Sequence, residues 1–457
     1  MSVETTKQIN ETPLVTGNLW HAIWTMSWPL LLTTIANSMV SLTDVKVASL
    51  LGSHNQAAVG LAEHIIFMFM VFILSLGVGT TAIVARAFGA RDQKEMILAA
   101  GQSFAFSVIM GLILSCTAGL CAQYMIGLFT RSQQVFEAAR TYLNAYSLVL
   151  IPYSVSIIAN ALFRAIGDSK KPLIVVSTMT AINITLDVLL VVYQWPVKGL
   201  GIVGMAWAGL IAALIGATLS LFLVRRSILA PCLGQIWPVH KDILRRLSAI
   251  GLPSAFQRLG WTLSVFVVFF ILDKCQDSVA ALASWTIGMR VESLIYMPLM
   301  ALSLAVSSII GQNLGANETD RAIQAGWRVT NIGIIMMVIL GFGLFAFAGP
   351  VARSMSTDIG TIAYTTSYLR INCLAEPFLA LAMVLTGALQ GAGDTKSPMW
   401  FTIITNWLVR LPLAYFLAIA LHLGPEGVWW AMTTSILLQA VLVTWRFHSK
   451  AWLTVKV

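Results

Sequence analysis

Ala161 to Leu173 reads ALFRAIGDSKKPL, and Gly387 to Met399 reads GALQGAGDTKSPM. Aligning Gly167-Asp168 with Gly393-Asp394 sets an offset of 226 residues. The same offset pairs Lys170 with Lys396, Pro172 with Pro398, and Gly89-Ala90 with Gly315-Ala316. Pro29 meets Pro253 at an offset of 224. Several motifs at nearly one offset mark an internal duplication. The duplicated unit is built for lipid: of 457 residues, 58% are hydrophobic and only 10% charged, against about 25% charged in a soluble domain. Twelve apolar segments stand near residues 20–45, 58–84, 96–124, 138–162, 172–195, 200–224, 248–272, 280–310, 325–350, 364–390, 397–419 and 425–446. Each reaches the length of about 20 residues that a bilayer crossing needs. Six crossings return the chain to its starting side, so the two halves are parallel repeats about an axis along the membrane normal. The sequence therefore predicts an all-α polytopic membrane protein of twelve transmembrane helices in two pseudo-symmetric six-helix bundles. The first lobe covers 1–226, a cytoplasmic loop with Pro231, Gly234 and Pro238 covers 227–246, and the second lobe covers 247–457.

The net charge of +9 is a topology signal and not a nucleic-acid footprint. Eighteen Lys and Arg fall in the tails and even-to-odd connections, nine on the opposite side, and Arg258 within the seventh span. Basic residues collect on the cytoplasmic side, so both termini are expected in the cytoplasm and the chain in the cell inner membrane, as a monomer. The polar stretch from Met1 to Gly17 has no basic region followed by a short apolar core, so no cleaved signal peptide is expected. Cys116, Cys121, Cys232, Cys275 and Cys373 match no metal or disulfide pattern. No Gly-x4-Gly-Lys-Ser/Thr or His-Glu-x2-His stands in the chain. An enzyme, a cofactor and a metal centre are therefore not expected. Transporters of this duplicated architecture place their cargo at the repeat interface and alternate access between the two sides.

Ala181-Ile-Asn-Ile-Thr-Leu-Asp187 lies within the fifth span. Asn183 and Asp187, four apart, share a helix face. A carboxylate well inside a membrane helix costs roughly 2.5–3.5 kcal/mol or more to insert, and faces a cavity, a partner or an ion path. Asp44 in the first span runs outward as Asp187 does, and both stand toward the outer ends, so the two acids can meet at similar depth. Burial and a neighbouring carboxylate both favour the protonated form. Asn160, Tyr142 and Asn183 can hydrogen-bond either form. Glu63 and His64, at the start of the second span, read as interfacial.

Several motifs resemble the multidrug and toxic compound extrusion (MATE) family. They are Gly77-Val-Gly-Thr-Thr-Ala-Ile-Val-Ala-Arg-Ala-Phe-Gly-Ala90, Arg164-Ala-Ile-Gly-Asp-Ser-Lys-Lys-Pro172, Arg290-Val-Glu-Ser-Leu-Ile-Tyr-Met-Pro298, Gly311-Gln-Asn-Leu-Gly-Ala316, Gly387-Ala-Leu-Gln-Gly-Ala-Gly-Asp394 and Trp407-Leu-Val-Arg-Leu-Pro-Leu-Ala-Tyr415. Their order and spacing cover all twelve spans. The resemblance implies a V-shaped pair of six-helix lobes and efflux of small organic, often cationic, compounds in exchange for protons or sodium ions. The acids resemble the DinF-like branch. By that resemblance Asp44, Asp187, Asn183, Asn160 and Tyr142 form the cation-coupling set, and Pro29 is a hinge whose missing backbone bond permits a bend. One departure stands in the sixth span, where the family often reads Gly-Ala-Ala-x-Ala-Thr and this chain reads Gly204-Met-Ala-Trp-Ala-Gly209. The threonine associated with sodium in some members is Gly209 here, which favours proton coupling over sodium coupling.

The second lobe offers Gln257, Glu292, Glu376 and Arg410. Arg410 holds the repeat position of Asp187, since Asn183-x3-Asp187 is mirrored by Asn406-x3-Arg410. An Arg410–Glu292 salt bridge is the structural expectation, and a second-lobe substrate or coupling group the functional one. Glu376, before Pro377, can draw a cation inward or steady a kink. The rival function is a lipid-linked oligosaccharide flippase, which shares the architecture but usually lines its cleft with basic residues. Between Lys7 and Arg86 the sole basic residue is Lys46, which weakens that rival. The two Gly-Asp-x-Lys turns read as tight turns capping the next helix.

Overall fold

A computed structural model describes residues 14–195 and 200–455. The N-terminal tail with Glu4, Lys7 and Glu11, and Lys198 and Lys456 of the charge count, lie outside the described residues. Twelve helices follow in chain order. They are α1 (Leu19–Leu50), α2 (Ser53–Gly89), α3 (Gln93–Phe129), α4 (Gln133–Ala165), α5 (Lys170–Val192) and α6 (Gly201–Arg225), then α7 (Lys241–Asp273), α8 (Ser278–Gly315), α9 (Thr319–Met355), α10 (Ile359–Cys373 with Glu376–Gly391), α11 (Lys396–Ala420) and α12 (Pro425–His448). They coincide with the twelve predicted spans. Among the described residues ten are apolar and long enough to cross a bilayer, and the bent α10 makes an eleventh. α1 has 32 residues, ample for a crossing, but Asn37, Ser38, Thr43, Asp44 and Lys46 make it more polar than the others.

Departures from regular helix have local causes. α4 tightens to a 3₁₀ turn at Ser147–Val149, just before Pro152, which lacks the N–H that would bond four residues back. α10 bends by 56° between its two pieces, where Glu376 begins the second and Pro377 follows in its first turn. Asp358 caps the first piece by accepting from the Thr361 N–H at 2.7 Å, and that bond holds its carboxyl below the usual carboxylate range. α1 passes through the buried Pro29 as one continuous helix.

Two compact units emerge. The first runs to Leu252 and takes in Gly311–Asn317; the second is Pro253–Ile310 with Glu318–Val457. In the first, Val47, Val59, Ile66, Tyr142, Leu143, Leu190 and Met205 share one apolar core. In the second, Trp285, Tyr368, Trp429 and Leu272 do so.

The repeated turns are built alike. Gly167 and Gly393 take φ of +87° and +89°, the left-handed region that glycine enters without strain. Asp168 Oδ1 accepts from the Lys170 and Lys171 N–H groups, and Asp394 Oδ1 from the Ser397 N–H and Oγ. Both are the helix-capping turns the sequence predicts. Their ion pairs differ: Asp168 meets the half-exposed Lys171 at 2.9 Å, while the buried Asp394 takes both Nε (2.8 Å) and Nη2 (2.7 Å) of Arg446.

The pair Gly89 and Gly315 forms a backbone crossing within the first unit. A Cβ on Gly89 would stand 2.0 Å from the Gln312 carbonyl oxygen, and one on Gly315 would stand 2.0 Å from that of Arg86. Beside it Gln312 donates to the Ala165 carbonyl at 2.7 Å and Asn313 to that of Leu14 at 3.2 Å. The loop after α6 is also anchored. The buried Gln102 donates to the Gln235 and Pro238 carbonyls at 2.8 and 2.9 Å and accepts from the His240 N–H at 2.8 Å.

Candidate functional site

In the first unit the packing of α1, α2, α4 and α5 brings four of the predicted side chains to one place. Asp44 and Asp187 are both buried, Asp187 completely, and their carboxyl groups lie within hydrogen-bonding reach of each other. A bond between two carboxyls needs a proton on one of them. Neither Asp187 oxygen has a donor among the described residues, and the same holds for the amide oxygens of Asn183 and Asn160. Asn183 lies one turn before Asp187 on the same face of α5, as the spacing predicts. Lys46, two residues past Asp44, is exposed. Burying acceptors without donors is costly, a cost that a proton on the Asp44–Asp187 pair lowers. Asn160 lies about 27 Å along α4 from Tyr142 and is not brought to that pair.

Tyr142 is buried and stacks on Tyr146, ring centroids 5.1 Å apart at 17°. Tyr146 was not legible as a site residue. It lies within electrostatic range of Asp44, Glu63 and Asp187, and its ring fills the space beside Gly209. A Cβ there would stand 2.7 Å from Tyr146 Cε2. On the α6 side an aromatic ring thus takes the room that a larger residue at 209 would need. Glu63 was read as interfacial. It stands ten residues into α2, half-buried, and within electrostatic range of Asp44 and Asp187. The apolar stretch begins near 58, but the helix begins at Ser53, so Glu63 stands on a formed helix and not at its start.

α5 changes character just past the acid: Val188–Val192 is π-helical. In the second unit Arg410 closes the π-helical segment Ile404–Arg410. Arg410 thus lies inside a wide turn, a feature frequent at functional sites, whereas Asp187 ends the regular part of α5 just before one, and the repeat counterpart of Val188–Val192 is the α-helical Leu411–Tyr415; the two repeat positions carry opposite charges.

The expected Arg410–Glu292 contact pair is not formed. Glu292 Oε2 accepts instead from Tyr368 Oη at 2.7 Å, and Arg410 Nε donates to Ser435 Oγ at 2.8 Å. The two charges remain within electrostatic range without touching, each holding a hydroxyl partner of its own. Glu376 is buried, with Oε2 lacking a donor among the described residues, and it opens the second piece of α10. Gln257 donates to Thr402 Oγ1 and accepts from Gln390 Nε2, each at 3.1 Å. That chain joins α7, α10 and α11 and stands apart from the Glu292 group. Tyr368 was the residue the sequence did not single out here. Among the described residues no three His, Cys, Asp or Glu form a metal-holding group.

The family model described as MatE matches residues 29–189 and 253–416, that is, one match in each half of the duplication. A probable multidrug resistance protein NorM of Thermotoga maritima is 26% identical over 408 residues, covering 87% of this chain and 85% of its own. An uncharacterized transporter, YisQ, of Bacillus subtilis is 22% identical over 433 residues, covering 94% and 95%. Among solved structures, a MOP superfamily transporter from Pyrococcus furiosus superposes with a TM-score of 0.90 at 22% identity, covering 96% and 97%. A MATE structure in a bent conformation superposes at 0.88 and 22%, covering 98% of each chain.

Proposed function

The chain belongs to the MatE family, and from that premise we propose a secondary active exporter of small organic, often cationic, compounds driven by proton antiport. The observation that carries the proton is the abutment of Asp44 and Asp187, with both Asp187 oxygens lacking donors. Relatives named as probable multidrug resistance proteins support the cargo class. In this reading the protein spans the cell inner membrane as a monomer with both termini in the cytoplasm, and 1–226 and 247–457 act as the two lobes. The acids then stand near the outer ends of α1 and α5. A proton from outside loads the pair, Asn183 and Tyr142 steady the loaded form, and bending of α1 at Pro29 releases cargo. Discharge inward resets the cycle. Gly209, filled by Tyr146 and offering no oxygen from its side chain, supports protons over sodium.

The test is ethidium efflux from proteoliposomes under an imposed pH gradient, with and without sodium. Asp187→Asn should abolish pH-driven efflux, because an amide cannot exchange the proton. Undiminished pH-driven efflux in that variant refutes the assignment, and strict sodium dependence of the unaltered protein refutes the ion.

A further inference from the structure

We propose that Glu63 is a third carboxylate of the Asp44–Asp187 site, a positioning residue on its solvent side whose negative charge sets the pH at which the pair loads. The inference rests on the proton reading above. Its basis is packing. Val59 and Ile66, one turn either side of Glu63, are buried in the core that also holds Val47, Tyr142 and Leu190. Val47 lies one turn past Asp44, and Leu190 one turn past Asp187. The face of α2 that carries Glu63 is therefore the face turned to both acids. His64, the next residue, is exposed and bonds its own helix at the Gly60 carbonyl.

Among the described residues, the ionisable groups in electrostatic range of Glu63 are Asp44 from α1, Tyr142 and Tyr146 from α4, and Asp187 from α5. None is a cation. The basic residues nearest in sequence on the packed helices, Lys46 and Arg140, are exposed. α6 carries no ionisable side chain before Arg225. Among the described residues Glu63 makes no contact ion pair. Glu63 thus lies in electrostatic range of the abutting Asp44 and Asp187, beside the unpartnered oxygens of the more than nine-tenths buried Asp187 and Asn183. Full burial of Asp187 and half-burial of Glu63 order them from the interior outward.

Removing a like charge about 10 Å away, at an effective dielectric of about 20, moves a protonation equilibrium by on the order of one pH unit. Glu63→Gln keeps the shape of the side chain and deletes its charge. In proteoliposomes carrying ethidium, the external pH of half-maximal efflux should move down by about one unit. Glu63→Asp should restore the profile, which a merely structural role does not require. Proton uptake by the purified protein in detergent, followed with a pH dye, gives the same comparison without any cargo. A Glu63→Gln profile that overlays the unaltered one, while Asp187→Asn is inactive, overturns the role of Glu63 and leaves proton antiport standing. Proton uptake and pH-driven efflux unchanged in Asp187→Asn would instead overturn the antiport reading and this inference together.

Discussion

Replacing Gly315 with alanine should destabilise the protein more than any other single-methyl change in α8. The added Cβ would stand 2.0 Å from the Arg86 carbonyl oxygen, 2.8 Å from its carbon and 2.9 Å from the Ala90 nitrogen. Contacts under 3.0 Å are essentially never made by a real Cβ, so the helices must part by about 1 Å in an interior packed to crystal density. A flexible side chain could turn away; the opposing atoms here are backbone. The Arg86 oxygen is also engaged, accepting from the Ala90 N–H at 3.0 Å. Overpacking of this kind costs about 1–3 kcal/mol, and a rigid backbone partner puts the cost at the upper end. Parting the helices would also loosen the Gln312 bond to the Ala165 carbonyl next to it. The assay is the temperature at which half the purified protein stays monodisperse in detergent. Gly60→Ala is the control, since nothing lies within 4 Å of its Cβ; relief of glycine's helix penalty makes it neutral or stabilising by up to about 1 kcal/mol. Equal melting of Gly315→Ala and Gly60→Ala would refute the crossing. Gly89→Ala should behave like Gly315→Ala, as its repeat mate.

The two repeat aspartates should differ in worth. Arg446→Met leaves the buried Asp394 without its cation and should cost about 3 kcal/mol, whereas Lys171→Met removes a half-exposed pair worth about 0–1 kcal/mol; a double-mutant cycle with Asp394→Asn, read by melting in detergent, checks the coupling. Gln102→Ala deletes three bonds to the loop after α6 and should free that segment by about 1–3 kcal/mol, seen as faster tryptic cleavage near Lys241 with cleavage elsewhere unchanged.

The fold was largely legible because its causes are local. A bilayer crossing needs a long apolar run, and the chain supplies twelve. The capping turns at Asp168 and Asp394 were equally readable, since glycine at positive φ followed by a capping acid is a matter of adjacent residues. Asn183 and Asp187 could be put on one face by helical period alone. Asp44 could be matched to Asp187 by depth, from the direction of each span.

What failed were statements about which helix faces which. Arg410 and Glu292 have the charges of a salt bridge, but they stand apart, Glu292 bonded by Tyr368 and Arg410 by Ser435. Tyr368 lies 76 residues from Glu292, and no period connects them. Glu63 reads by hydropathy as interfacial, and its nearness to Asp44 and Asp187 depends on how α2 packs on α1 and α5. Tyr146 gave no signal, for its part in the site depends on the space left by Gly209 on another helix. The repeat Gly89 and Gly315 showed as a motif, yet only their meeting explains why neither carries a side chain.

The sequence by itself determined the duplication, the twelve crossings and the acid of α5, because offset, hydropathy and helical period are properties of one strand of chain. The tertiary structure alone decided that Asp44 abuts Asp187, that Val59 and Ile66 on either side of Glu63 pack into the core beside them, and that two glycines cross backbone to backbone. Those are distances between helices, set by how side chains from distant segments fill a common volume.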